Sequence, residues 1–455
     1  MPAEIWPQPV LDLLATGDDR PVFEDGERVV TAFEMAGLVR RLTAGLRAAG
    51  AGPGTPVALP LGVTAEAFAA NLAAFTVGAI VSGRSFHPLE LVLDATRVKA
   101  LLDTPDDGGP LRAAGRPADV ARLIWTSGST GRPKGCAQTY AAMSAAWAPY
   151  PDRWPPAIAE LAPRLRRYLV FGSLSSQVML EYGILTLAAG GTLVAARPPG
   201  FPEMITRHRA TGSVITVGKL HQLVRSQRST PADLSTLRAL MVSGSPLEPA
   251  RLAETLDVLG PVVFHGYGQT ETGMIAMATP AEMRADPRVL SSVGRPPAVH
   301  GIDIRDGELY VRTAAQASFY WDDPAETADV FQDGWVRTRD LATLDTRGYL
   351  HLSGRARDVI IVQANLVYAG PIERVLASDP AVAEAYVVGR PDDHTGEAVH
   401  AFIVPSRGSL PDISHLSDLV RSALGDASVP ASLQVIAEVP LAPSGKPDKR
   451  ALLSR

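Results

Sequence analysis

Residues 123–140 read "LIWTSGSTGRPKGCAQTY". An apolar run with the texture of a strand breaks into a loop of hydroxyls and glycines that carries one lysine, and a helix is expected to follow. A strand, a Ser/Thr/Gly loop and a helix aim backbone N–H groups at an anion, and glycines let the backbone come close to it. Phosphate oxygens are the natural ligand. Thr126, Ser127, Gly128, Ser129, Thr130, Gly131 and Lys134 are the candidates for that cradle. The spacing of Gly128, Gly131, Lys134 and Gly135 departs from the Walker pattern, in which Lys and Ser/Thr directly follow the last glycine. That disfavours a nucleotide switch protein.

Around this loop lies a chain of 455 residues, long enough for two or three packed subdomains. With 46% hydrophobic and 20% charged residues and a net charge of −5, it has the composition of a soluble globular protein. No basic stretch points to nucleic acid. The lone Cys136 excludes an intramolecular disulfide framework and any cysteine-rich metal site, so a reducing cytoplasm is the expected compartment. The N-terminal residues lack a basic start and a long apolar stretch, and no secretion signal is expected. "AFAANLAAFTVGAIVSG" (67–83) is short and interrupted for a membrane span, and reads as a buried helix running into a strand.

Toward the N-terminus, and again at 183–196 and 237–273, helical and strand patterns alternate across glycine turns. This grammar predicts an α/β fold with largely parallel sheets covered by helices. From about 301 the texture changes to short strands separated by Gly and Asp, as in a meander or small distorted barrel. After Gly354 a compact α+β pattern begins. The expected division is a large N-terminal domain, 1–357, and a small C-terminal domain, 358–455.

The loop "TSGSTGRPKG" resembles the phosphate-loop signature of the acyl-adenylate-forming superfamily, which holds acyl- and aryl-CoA ligases, adenylation domains and luciferases. Further stretches resemble the family in the right order. "GYGQTETG" (266–273) is similar to the segment whose aromatic packs on adenine, whose Thr contacts the α-phosphate and whose Glu carries magnesium. The resemblance assigns these roles to Tyr267, Thr270 and Glu271. "SGSPL" (243–247) resembles the adenine-lining loop and nominates Gly244, Ser245 and Pro246. "GWVRTRDLATLD" (334–345) is similar to the stretch whose Asp, here Asp340, holds the ribose hydroxyls, although Arg339 replaces the usual glycine. In "GRARDVIIVQANLVYAGPIE" (354–373), Arg355 would contact the ribose and Asp358 would be the pivot of a mobile C-terminal domain. "PLAPSGKPDKRAL" (440–452) resembles the loop that delivers the adenylation lysine, here Lys446, with Lys449 and Arg450 as solvated neighbours.

What the resemblance implies is ATP- and Mg²⁺-dependent conversion of a carboxylic acid to acyl-AMP, catalysed by Lys446, Thr270 and Glu271, then transfer to a thiol of CoA or of a carrier protein's phosphopantetheine. Thioester-forming relatives carry glycine where this chain has Ala364, and an acid where it has Pro371, so transfer to an amine is an alternative, as is stand-alone amino-acid adenylation. A non-catalytic nucleotide-binding homologue is another. The segment "FGSLSSQVMLEYG" (171–183) lacks the Asp that receives an α-ammonium, so an aryl or acyl acid is expected rather than an α-amino acid. Ser175, Ser176, Gln177, Lys219, His221, Gly266 and Gly268 are candidates for the acyl pocket. Glu181 could serve an amino group elsewhere on the acid, but reads first as an ordinary helical acid.

Overall fold

The computed structural model describes residues 4–16, 19–106, 108, 110–126, 133–198, 200–244, 247–356, 358–363, 365–406, 408–441 and 447–453, without the side chain of Arg450. Its largest sheet has eight strands. From one edge they run Gly273–Ala278, Val263–Gln269, Ala239–Ser243, Gly212–Thr216, Arg167–Val170, Thr192–Ala195, Pro21–Asp25 and Arg28–Thr31. The inner pairings are parallel, and an antiparallel hairpin closes each edge. Helices connect the parallel strands, as right-handed crossovers require. Helix Gln177–Ala188 leads into Thr192–Ala195, and Pro249–Leu259 leads into Val263–Gln269.

A six-stranded sheet runs Phe319–Trp321, Lys134–Thr139, Val120–Thr126, Ile80–Ser82, Pro56–Ala58 and Leu91–Val92. Helix Ala65–Thr76 packs between the layers with every residue except Glu66 buried, then turns at Gly78 into Ile80–Ser82. That is the buried helix and strand expected at 67–83. Among the described residues no helix is long and apolar enough to cross a membrane.

The opening stretch departs from expectation. Strand Val120–Thr126 is answered by the antiparallel strand Lys134–Thr139, with Thr126 opposite Lys134, and only then by the short helix Tyr140–Ala145. The loop therefore joins two strands rather than a strand and a helix. The reason is a second partner: Gly135, Cys136 and Ala137 also pair with Phe319–Trp321, nearly two hundred residues later, which holds the segment extended.

Apart from Phe319–Trp321, the strands of residues 301–355 form a five-stranded antiparallel sheet built on the long strand Trp335–Leu344, as the Gly/Asp texture implied. The C-terminal part has its own five-stranded sheet, backed by helices Ala369–Ala377 and Ile413–Leu424. Ile372, Leu376, Val399, Ile403, Leu416 and Val420 form its separate apolar core.

His265 sits in strand Val263–Gln269 with only 4% of its surface exposed, and burial pushes its pKa down to about 4, against a hydrogen bond with the Ser292 backbone that acts to raise it. A depressed pKa on a base means the folded state resists the proton that the unfolded chain accepts near 6.5. The stabilisation is complete above that value and is lost as pH falls toward 4, a linkage of about 3 kcal/mol. Thermal melting should therefore fall between pH 6.5 and 4, and His265→Leu should flatten that limb. An identical pH profile for the variant would remove His265 as the cause.

Candidate active site

The motif "GYGQTETG" wraps the turn between strands Val263–Gln269 and Gly273–Ala278. Gly268 is required there by close approach: a Cβ on it would stand 2.4 Å from the Gly273 carbonyl oxygen. A Cβ on Gly266 would meet the Met241 sulfur at 3.2 Å, so that strand too passes its neighbour closely.

The side chains of this turn converge on Asp340, which is 5% exposed. The Tyr267 hydroxyl donates to Asp340 Oδ2 at 2.5 Å, Gln269 Nε2 donates to the same oxygen at 2.7 Å, and Arg355 Nε donates to Oδ1 at 3.1 Å. Burial and the adjoining carboxylate push the Tyr267 phenol well up, so it stays a donor. Burial pulls the Arg355 guanidinium down, but Asp340 and Asp358 more than offset it and leave it raised. A carboxylate can accept about four hydrogen bonds, so Asp340 retains acceptor capacity beyond these three protein donors. Gln269, which sequence reasoning passed over as a spacer within the motif, is part of this cluster.

One residue beyond Thr270, the Glu271 carboxylate accepts a 2.6 Å hydrogen bond from the Tyr320 hydroxyl, and its backbone carbonyl receives the Ala317 N–H at 2.8 Å. Thr270 is half-buried and makes no side-chain hydrogen bond among the described residues. Among those residues no group of three or more His, Cys, Asp or Glu could hold a metal alone. A magnesium ion carried by Glu271, phosphate oxygens and water matches that donor set, because Mg²⁺ is usually held by one or two carboxylates beside phosphates.

Lys134, at the foot of the phosphate-loop hairpin, is 8% exposed. Its ammonium lies 5.5 Å from the centre of the Tyr320 ring and is ion-paired with Glu326. Glu326 also takes Arg339 Nη1 at 2.7 Å, and Arg339 reaches Asp329 as well. Burial acts to raise the Glu326 carboxyl, but Arg339 and Lys134 outweigh it and hold it below the usual range. Arg339 occupies φ 59°, a left-handed conformation that favours glycine. Arg339 thus takes a backbone conformation that glycine adopts freely, while its side chain is tied into this ion-pair cluster.

Several sequence candidates lie outside the described residues: Ser127, Gly128, Ser129, Thr130 and Gly131 of the loop, Ser245 and Pro246, Ala364 and Lys446. Gly244 precedes that gap at φ 97°. Lys449 is not the solvated neighbour expected. Its ammonium lies 3.4 Å from Asp358 Oδ2 and 2.7 Å from Glu373 Oε1, tying helix Lys449–Leu453 to Asp358, just before strand Val359–Val362, and to helix Ala369–Ala377.

On the acyl side, Ser175 receives a 3.0 Å hydrogen bond from Asn71, and Ser176 caps helix Gln177–Ala188 by accepting from the Met179 N–H. Gln177 is buried and lines a cavity of about 560 Å³ together with Thr272 and Gly273. Lys219 and His221 do not reach that cavity. Lys219 is drawn over the rings of Phe171 and Phe201, and His221 turns toward Arg251, Glu254 and Glu384, because Val217, Leu220 and Leu223 take the buried face of their helix.

The sequence matches the family model of AMP-binding enzymes over residues 84–321 and that of the AMP-binding enzyme C-terminal domain over residues 371–446. It is 31% identical to a feruloyl-CoA synthase of an Amycolatopsis species, over 92% of this chain and 93% of that enzyme. It is 32% identical to a medium/long-chain-fatty-acid–CoA ligase, FadD8, of Mycobacterium tuberculosis, over 76% of this chain but 63% of that enzyme's length. The amide bond synthetase McbA from Marinactinospora thermotolerans superposes with a TM-score of 0.84 at 32% identity, covering 98% of this chain and 99% of that one. The chain belongs to the AMP-binding enzymes of the acyl-adenylate-forming superfamily.

Proposed function

We propose that this chain is an AMP-forming ligase that converts a small aryl or acyl carboxylic acid to acyl-AMP, releases pyrophosphate, and passes the acyl group to a thiol of CoA or of a carrier protein. The observation that carries the reading is the convergence of Tyr267, Gln269 and Arg355 on the Asp340 carboxylate, with Tyr267 and Gln269 on the same turn that carries Glu271 and Asp340 linked to Lys134 through Arg339 and Glu326. These residues come from four separate segments, and no packing requirement of an ordinary core would gather them.

Oxide is too poor a leaving group for a carboxylate to acylate a thiol directly. In the proposed reaction a carboxylate oxygen of the acid attacks the α-phosphorus of ATP, the bond to the bridging oxygen breaks, and pyrophosphate departs with that electron pair. The protein's share is positioning and charge neutralisation. Asp340 and Arg355 would hold the ribose, Thr270 would meet the α-phosphate, and the 126–134 loop would receive the departing phosphates. Magnesium held by Glu271 would offset phosphate charge. Lys446, from the 358–455 domain, would bridge the acid and the α-phosphate, and rotation of that domain about Asp358 would then withdraw it for the acyl-transfer step. Residues 1–357 would form the domain that binds ATP and the acid.

Transfer to an amine is the second reading. Its support is the end-to-end similarity to an amide bond synthetase, together with Ala364 and Pro371 where thioester-forming relatives carry glycine and an acid.

Pyrophosphate release across a panel of carboxylic acids, with no acceptor added, tests adenylation, and silence with every acid would refute it. Lys446→Ala should nearly abolish acyl-AMP formation while affecting transfer from supplied acyl-AMP far less; equal loss of both steps would overturn the assignment of Lys446. Asp340→Asn should raise the KM for ATP roughly 10-fold or more, since hydrogen bonds to a charged group are worth about 1.5–3 kcal/mol. An unchanged KM would remove Asp340 from the nucleotide site. Competing CoA, a phosphopantetheine carrier and primary amines against one another decides the acceptor. Ala364→Gly should maintain or raise thioester formation if a thiol is used, and a fall would count against the thiol.

A further inference from the structure

The 560 Å³ cavity lies between helix Gln177–Ala188, strand Lys134–Thr139 and the segments 143–156, 297–300 and 313–315. One end reaches the reaction centre. Thr272 and Gly273 belong both to its wall and to the turn that presents Thr270 and Glu271, and the Thr313 hydroxyl fixes that turn by donating to the Thr272 carbonyl at 3.1 Å. Much of the rest is apolar or aromatic, including Trp6, Trp147, Trp154, Leu180 and Ile184. The size and lining suit a one- or two-ring ligand.

Four charged side chains break this lining: Asp152 and Arg153 are exposed to solvent, whereas Arg122 is buried and Glu181 half-buried. Arg122, from strand Val120–Thr126, is 6% exposed. Its Nε donates to Gln138 Oε1 at 2.6 Å, and the Gln138 amide nitrogen donates to the Ala315 carbonyl, so the guanidinium is braced from behind. Its terminal nitrogens make no hydrogen bond among the described residues. Glu181 comes from a different wall, one helical turn beyond Gln177, and its carboxylate has neither a hydrogen bond nor an ion pair among those residues. The two feel each other's charge without touching: burial pushes Glu181 up to about 7 while Arg122 pulls it down, and burial lowers Arg122 to about 10 although Glu181 opposes it.

Buried charges without partners are costly, and a bound ligand either meets them or makes the cost worse by stripping residual water. A plain alkyl chain in this cavity would desolvate Arg122 and Glu181 and return nothing. A ring with a polar edge would return two charge-assisted hydrogen bonds.

We propose that this cavity holds the body of the acid, and that Arg122 and Glu181 select aryl acids whose ring system carries, remote from the carboxylate, an acceptor facing the guanidinium and a donor facing the Glu181 carboxylate. Heterocycles that carry both a ring N–H and a second ring nitrogen with a free lone pair, and hydroxy-substituted aromatic rings, are that class. The proposal deepens the adenylation reading and rests on it for the placement of the acid's own carboxylate.

The test follows binding and turnover in parallel on the full chain, using acids of similar size: 2-naphthoate, 6-hydroxy-2-naphthoate, benzimidazole-5-carboxylate and decanoate. Calorimetric binding with ATP absent reads the cavity, and acceptor-free pyrophosphate release reads adenylation. The hydroxylated and N–H acids should bind and turn over about 10-fold or more better than naphthoate and decanoate. Glu181→Gln should collapse that ratio by a similar factor, chiefly through KM, whereas a structural role would lower all four acids together. Glu181→Leu, which keeps the apolar packing, should invert the preference toward naphthoate. Arg122→Met is the harsher variant and, if it folds, should do the same. Equal use of all four acids, a preference for decanoate, no binding of any of them, or a parallel loss in Glu181→Gln would overturn the proposal. Selective binding without pyrophosphate release would sustain the cavity assignment and refute the adenylation reading instead.

Discussion

The carboxylate of Asp340 is the point on which the arrangement turns. It stands on the long strand of the antiparallel sheet, takes donors from the hairpin at the edge of the eight-stranded sheet, and takes a third from Arg355 at the approach to the C-terminal part. A buried carboxylate must be satisfied, and a charge left alone there would cost several kcal/mol. Meeting that requirement fixes the hairpin, the sheet and the exit of the chain relative to one another. Placement of Thr270 and Glu271 follows from it.

A second tie runs beside the first. Glu326 holds Lys134 at the base of the phosphate-loop hairpin and Arg339 next to Asp340. A non-glycine residue in the left-handed region costs about 1–2 kcal/mol, and here that conformation is held where Arg339 reaches two carboxylates at once. Lys134 and the residue preceding Asp340 are therefore cross-braced by one glutamate. Lys449 makes a comparable tie at the C-terminal end, between Asp358 and Glu373.

Much of this could be read from the sequence because the loop, the "GYGQTETG" turn and Asp340 are local motifs, and their order along the chain carries the fold. The alternation of helix and strand at 183–196 and 237–273 was equally legible, since connections between parallel strands impose it. What escaped depended on distant partners. The segment 134–139 looked like the approach to a helix, and only its pairing with Phe319–Trp321 makes it a strand. Tyr320 lies in a stretch with no motif, yet it is the residue that meets Glu271. Lys219 and His221 were plausible pocket residues by position, but the phase of their helix, set by Val217, Leu220 and Leu223, turns them elsewhere. Glu181 read as an ordinary helical acid because nothing local reveals that its side chain lines the cavity.

The residues gathered around Asp340 and those lining the cavity form two sets with no member in common. Such separation has an evolutionary meaning. If the roles proposed above hold, a lineage can drift through successive substitutions in Trp147, Leu180 or Ile184, acquiring or losing acids, while the cluster proposed to hold the nucleotide stays under undiminished selection. The same partition makes the cavity wall the natural target for a combinatorial library, since variants there would be sorted by which acid they accept rather than by whether they bind nucleotide at all.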